Sequence, residues 1–177
     1  ASKLDTNAGF CGDRSNLNQQ SGVGTGTVIT YNKGYLRVVE SAPTLTCENA
    51  SDYYTVASAS SGNKKLSCPI GLVTADEMML AGHAGGVFDG TYNHMKTNNG
   101  SYLVTGNDFW AMTPAGGYNP FGITYWGASV FFVRGSSGGA IDDGVAHNAY
   151  GLRPVINLKA DVTITGSGTM TDPYVVA

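Results

Sequence analysis

Phe109-Trp110-Ala111-Met112-Thr113-Pro114 and Tyr150-Gly151-Leu152-Arg153-Pro154-Val155-Ile156-Asn157-Leu158 bracket a region almost free of charge. From Ala111 to Tyr150 the only charged side chains are Arg134, Asp142 and Asp143. Gly, Ser, Asn and Ala fill the interval together with the rings of Tyr118, Phe121, Tyr125, Trp126, Phe131, Phe132 and Tyr150. Rigid aromatics among small adaptable polar residues are the composition of a contact surface: rings supply area at little entropic cost, and Ser, Gly and Asn supply hydrogen bonds. At the centre of the region, Ser129-Val130-Phe131-Phe132-Val133-Arg134 reads as a strand. Alternation puts Phe131 and Val133 on one face and Val130, Phe132 and Arg134 on the other, and Arg134 marks its own face as the one approaching solvent. Trp110, Phe131, Val133 and Leu152 are expected in the core. Tyr118, Asn119, Phe121, Ile123, Tyr125 and Trp126 fall in a Gly- and Pro-punctuated stretch without period, which reads as an exposed loop.

Outward from this region, short apolar runs alternate with turn residues. Tyr35–Val39, Tyr53–Ala57, Ser101–Val104, Leu152–Leu158 and Val162–Thr165 read as further strands, rich in β-branched and aromatic residues. Gly24-Thr25-Gly26, Asn32-Lys33-Gly34, Ser61-Gly62-Asn63, Asn98-Asn99-Gly100 and Gly166-Ser167-Gly168 are turn signals. One helix is well marked: Thr74-Ala75-Asp76-Glu77 is a capping box, Met78-Met79-Leu80 follow, and Gly82 can stop the helix. A second short helix is expected near Asn16–Ser21. No internal repeat or linker interrupts the chain. The economical reading is a polar tail over 1–8 and a single α+β domain over 9–177, of mostly short antiparallel strands with one or two short helices.

The chain has 177 residues, enough for one domain with a substantial core. Charged residues make up 13%, about half the usual ~25%, and Gly, Ser, Thr, Asn and Tyr take their place. A polar but weakly charged surface suits secreted and cell-surface modules. The net charge of −3 and the absence of any basic cluster beyond Lys64-Lys65 give no support to nucleic-acid or anionic-lipid capture. No apolar run approaches the ~20 residues that span a bilayer, so this segment is not expected to insert into a membrane. Any signal or anchor would lie upstream. Cys11, Cys47 and Cys68 permit three single-disulfide pairings, or three buried thiols with no bridge.

Two constellations bear on chemistry. Gly135-Ser136-Ser137-Gly138-Gly139 resembles the nucleophile turn of trypsin-like serine proteases, with Ala81-Gly82-His83 as the histidine segment and Asp89 or Asp108 as the acid. The 53 residues between His83 and Ser137 are too few to complete one barrel and build most of a second. His83 follows a helix rather than a strand. The segment therefore reads as a flexible loop, and a serine hydrolase is kept only as an alternative. Asp142, Asp143 and His147 have metal-site residue types, but an acidic turn of this length offers too few ligands, so no metal or other cofactor is expected. His94 reads as a loop histidine, and neither a Trp-Asn-Asp, a Glu-Pro-Asn nor a Gln-Pro-Asp motif for calcium-dependent sugar binding is present.

From Phe109 to the C-terminus the chain resembles bacterial surface proteins of the C-type-lectin-like fold. The resemblance rests on Phe109-Trp110-x-Met112-Thr113-Pro114, on Tyr150 to Lys159, and on Gly166-Ser167-Gly168-Thr169…Asp172-Pro173-Tyr174-Val175-Val176. Pro69 to Glu77 and Cys11-Gly12-Asp13-Arg14 are similar to the first half of the same family. The same fold and ending occur in the variable proteins of diversity-generating retroelements and in formylglycine-generating enzymes. The enzymes need cysteines in the C-terminal half, and this chain has none after Cys68. The resemblance to variable proteins implies a non-enzymatic, secreted or surface-displayed binding protein whose region 110–153 is diversified. It would recognise a protein or glycan ligand on another cell or surface through Tyr118, Asn119, Phe121, Ile123, Tyr125, Trp126, Arg134, Ser136, Ser137, Asp142, Asp143, His147 and Asn148. A structural pilus or surface subunit is a further alternative. The resemblance and the expected oxidising compartment also imply a Cys11–Cys47 disulfide. Cys68, in the apolar run leading to the capped helix, is then expected as a buried thiol.

Overall fold

The computed structural model describes residues 3–15, 30–56, 65–83, 103–118, 127–169 and 171–177. In chain order its elements are β1 (Phe10–Cys11), β2 (Thr30–Tyr31), α1 (Lys33–Glu40), β3 (Tyr53–Tyr54), β4 (Gly71–Leu72), α2 (Ala75–Leu80), β5 (Phe109–Tyr118), β6 (Gly127–Arg134), β7 (Ala140–Val145), β8 (Gly151–Leu152), β9 (Pro154–Val155), β10 (Ile164–Thr165) and β11 (Val175–Val176). The described residues form a mixed α+β arrangement of mostly short strands with two α-helices.

The central sheet is antiparallel β2-β5-β6-β7, and β8 adds to β5 in parallel at Phe109 and Trp110. On β5 the period of two buries Phe109, Ala111, Thr113 and Ala115 and leaves Trp110, Met112 and Pro114 half-buried. Phe131 and Val133 of β6 and Ile141 of β7 join the buried set, and Val38 of α1 with Ala75 and Met78 of α2 closes the core over it. The β5–β6 ladder is irregular around Pro114, which has no N–H to give. Met112 N–H there donates instead to the Val73 carbonyl at 2.8 Å, and Thr113 Oγ1 accepts from Ala75 N at 2.9 Å. These two bonds seat α2 on the sheet.

The capping box forms as the sequence implies. Glu77 N donates to Thr74 Oγ1 (3.1 Å), Thr74 N donates to Glu77 Oε2 (2.7 Å), and Gly82 follows the helix with φ +95°. Tyr35–Val39 differs from expectation: it is helix α1, not a strand, and Asn32-Lys33-Gly34 opens that helix rather than forming a free turn. A helix buries Gly34 and Val38 one turn apart against β5, and Arg37 between them reaches Asp76 of α2 (2.7 and 2.9 Å) and Asp13 (2.7 Å). Contacts with two other elements outweigh the β-propensity of Tyr35, Val38 and Val39.

The expected strand Leu152–Leu158 is divided among three partners. Leu152 pairs with Trp110, Pro154 and Val155 pair with β4, and Leu158 bridges Leu4. Leu152 is consequently 65% exposed, not core. The described part of the expected tail is held by the chain: Asp5 N donates to Asn157 O, Lys159 N donates to Lys3 O, and the Asp5 carboxylate accepts from Asn7 N and Ala8 N. Leu103 and Val104 lie outside any strand, and β3 is shorter than expected. The helix expected near 16–21 lies outside the described residues. Gly166 and Gly168 turn the β10–β11 hairpin, where sequence placed a turn. Cys11 and Cys47 form a disulfide with Cα atoms 5.5 Å apart. Cys68 is free and exposed, contrary to the expectation of burial, because the apolar run beside it faces outward at Ile70.

Candidate functional site

β6 and β7 carry the described part of the expected binding set, and the sheet divides it. Alternation sends Asp142 and Asp143 to opposite faces, each across from a phenylalanine of β6: Phe132↔Asp142 and Phe131↔Asp143. The two carboxylates are therefore strand residues, not an acidic turn, and they do not converge with His147. Among the described residues no group of three metal-capable side chains comes together.

On the face away from the helices, Phe132 is 1% exposed, although Arg134 had marked this face for solvent. It is covered by Tyr150, stacked at 4.4 Å, and by the edge of Trp110 at 5.9 Å. Tyr150 and Trp110 are themselves half-buried and 4.7 Å apart. Arg134 reaches across to the Asp142 carboxylate and over the Phe132 ring at 5.7 Å. Burial pushes the Asp142 carboxyl above its usual range against the opposing pull of Arg134. This face is a second, smaller core with a charged border.

On the helix face, Ser129 Oγ donates to Asp143 Oδ2 at 2.5 Å. Tyr31 stacks on Tyr35 at 4.3 Å, and Tyr35 lies over Phe131 at 6.4 Å. Burial, then the nearby Asp143 charge, raises the Tyr31 phenol above its usual value. Tyr31, Tyr35 and Ser129 were missed in the sequence. The signal for Ser129 was its alternation with Phe131, whereas nothing local places Tyr31 beside Asp143.

The remaining residues separate by sheet end. At one end the backbone of Tyr118 pairs with Gly127, Ala146 N donates to Ala128 O, exposed His147 follows, and Asn148 Nδ2 donates to the Tyr150 hydroxyl at 3.4 Å. Asn119, Phe121, Ile123, Tyr125 and Trp126 lie outside the described residues; their two flanks, Tyr118 and Gly127, meet at this end. Arg134, Ser136 and Ser137 lie at the other end, about 23 Å away along β6 at the ordinary strand rise. No small ligand touches both ends.

Gly135–Gly139, expected as a flexible loop, connects β6 to β7. A 3-10 turn over Gly135–Ser137 is followed by Gly138 and Gly139 at φ +72° and +78°. Ser136 N and Oγ donate to Asp108 Oδ1 at 3.3 and 3.2 Å. His83 is buried against this link, its Nδ1 2.7 Å from the Gly139 carbonyl. Burial lowers its pKa, a shift opposed by the Gly139 bond and aided by Arg153. The Asp108 carboxylate thus serves Ser136, and a backbone carbonyl occupies His83 Nδ1. Asp89 and His94 lie outside the described residues. Neither protein-family models, curated proteins nor solved structures match the chain.

Proposed function

We propose that the protein is a non-enzymatic ligand-binding module of the C-type-lectin-like fold, secreted or displayed at a cell surface. Its partner is a protein or glycan on another surface. The observation that carries the reading is the meeting, at one sheet end, of the flanks of the aromatic-rich stretch 119–126 with the 146–148 turn that bears His147 and Asn148. Rings bordered by adaptable polar side chains make an anchor-and-rim arrangement. The Cys11–Cys47 disulfide suits an oxidising compartment. Among the described residues no helix is long and apolar enough to cross a membrane.

Diversification of 110–153 is part of this proposal, and burial limits it. Phe131, Phe132, Val133 and Ile141 are core positions, so useful variation belongs to 118–127 and 145–148. A reverse-transcriptase gene beside a near-copy of codons 110–153 would support diversification; a neighbourhood with neither would remove it. Binding is tested with the labelled protein on a glycan array and on displayed bacterial surface proteins. Replacing Tyr118, Tyr125 and Trp126 together by Ala should abolish the captured signal with the melting temperature nearly unchanged. Arg134→Ala, at the far end, should leave capture intact. A triple variant that keeps binding, or one that melts much earlier, overturns the surface reading.

A further inference from the structure

An asparagine two residues before a serine or threonine, with no proline between, occurs twice in the chain, at Asn49-Ala50-Ser51 and at Asn99-Gly100-Ser101. This tripeptide is the acceptor of N-linked glycans in exported proteins. The second copy lies outside the described residues. The first follows Cys47 of the disulfide and opens a short 3-10 helix over Ala50–Asp52. Glu48, Asn49, Ala50 and Ser51 are all exposed, so a bulky group attached there displaces no packed side chain. The two-residue spacing also closes on itself: Asn49 Oδ1 accepts from Ser51 N at 3.0 Å and from Ser51 Oγ at 2.8 Å. Both bonds fall on the oxygen and not on Nδ2, the atom that would carry the sugar. Bonds donated to Oδ1 draw electron density from the amide and make its N–H more acidic. A carboxamide nitrogen, a poor nucleophile, needs that help before it attacks carbon.

We propose that Asn49 is a glycosylation site, taking an oligosaccharide from a polyprenyl-diphosphate donor as the chain is exported. The bond from the sugar C1 to the diphosphate oxygen breaks and a C1–Nδ2 bond forms. The lipid diphosphate leaves with the electron pair of the broken bond, and one Nδ2 proton passes to a base of the transferase. On a chain with only 13% charged residues, a glycan supplies hydration that charge supplies elsewhere. The inference rests on the exported part of the reading above and is independent of what the sheet end binds.

The test is mass-spectrometric peptide mapping, without reduction, of the whole protein recovered from the cells that make it. The peptide holding Asn49 should carry a carbohydrate mass that gives sugar fragment ions, and it should be bridged to the peptide holding Cys11. Ser51→Thr should keep the modification and Ser51→Ala should abolish it. Ala50→Pro is the sharper variant. Proline suits the first position of a helical turn after an extended residue, and Asn49 has ψ 114°. The fold and both polar side chains are therefore retained, yet the glycan should be lost because the tripeptide excludes proline. A bare Asn49 in a chain whose Cys11–Cys47 bridge has formed would overturn the proposal and leave the binding-module reading standing. A bare Asn49 with Cys11 and Cys47 reduced would remove the exported reading and the proposal together. Carbohydrate that persists in Ala50→Pro would also refute the assignment to Asn49.

Discussion

His83 faces a carbonyl oxygen, which only accepts, so the proton of its neutral ring sits on Nδ1 and Nε2 is a bare acceptor without a partner among the described residues. Its folded pKa is lowered, chiefly by burial. An unfolded histidine takes up its proton near pH ~6.5. Between that value and the lower folded one the unfolded chain binds more protons, so stability should fall as pH drops below about 6.5. His83→Asn keeps an N–H donor toward Gly139 without titrating. Urea midpoints at about pH 7.5 and 5.5 should therefore differ less in the variant than in the parent; an equal fall would overturn the assignment to His83. The two rings on the far face of the sheet should differ in cost. Phe132→Ala should lose roughly 3–5 kcal/mol by chemical denaturation, and Trp110→Ala clearly less, because Trp110 is half-buried rather than enclosed. Ser137 is expected to remain unlabelled by a fluorophosphonate probe. Labelling that vanishes in His83→Ala would revive the hydrolase alternative.

At the scale of elements, α2 was legible because a capping box is a local code. Thr74→Ala should cost about 1 kcal/mol, read from the denaturation midpoint. Helix α1 was not legible, since its eight residues hold an aromatic ring and two valines and its register depends on what lies beneath. Gly34 displays that dependence: a Cβ there would stand 2.5 Å from Thr113 Cγ2. Gly34→Ala should therefore destabilise despite a helix-propensity gain of up to ~1 kcal/mol. It would also push on Thr113, the acceptor that seats α2, so the amide shift of Ala75 should move. Strand β7 escaped notice because Asp142-Asp143 resembles a turn. Its charges are accommodated by Arg134 and Ser129 on the neighbouring strand, which no local pattern announces.

Across the whole molecule, the Cys11–Cys47 bridge joins positions 36 apart and ties β1 to the segment after α1. Closing a loop of that size removes unfolded-chain entropy equivalent to about 4 kcal/mol. A Cys11→Ser/Cys47→Ser double variant should lose stability of that order, and the parent should offer iodoacetamide a single reactive thiol, Cys68, before unfolding. The sequence by itself determined what short-range chemistry encodes: the capped helix, the alternation along β6, the Gly-turned final hairpin and a charge-poor aromatic region. Tertiary structure alone decided that Phe132 is buried by Tyr150 and Trp110, that 152–158 serves three partners, that Cys68 is outside, and that Arg134 and Ser136 stand at the opposite sheet end from His147 and Asn148. A cap or a period of two is complete within a few residues. Burial and convergence are properties of two surfaces, and the second surface lies far along the chain.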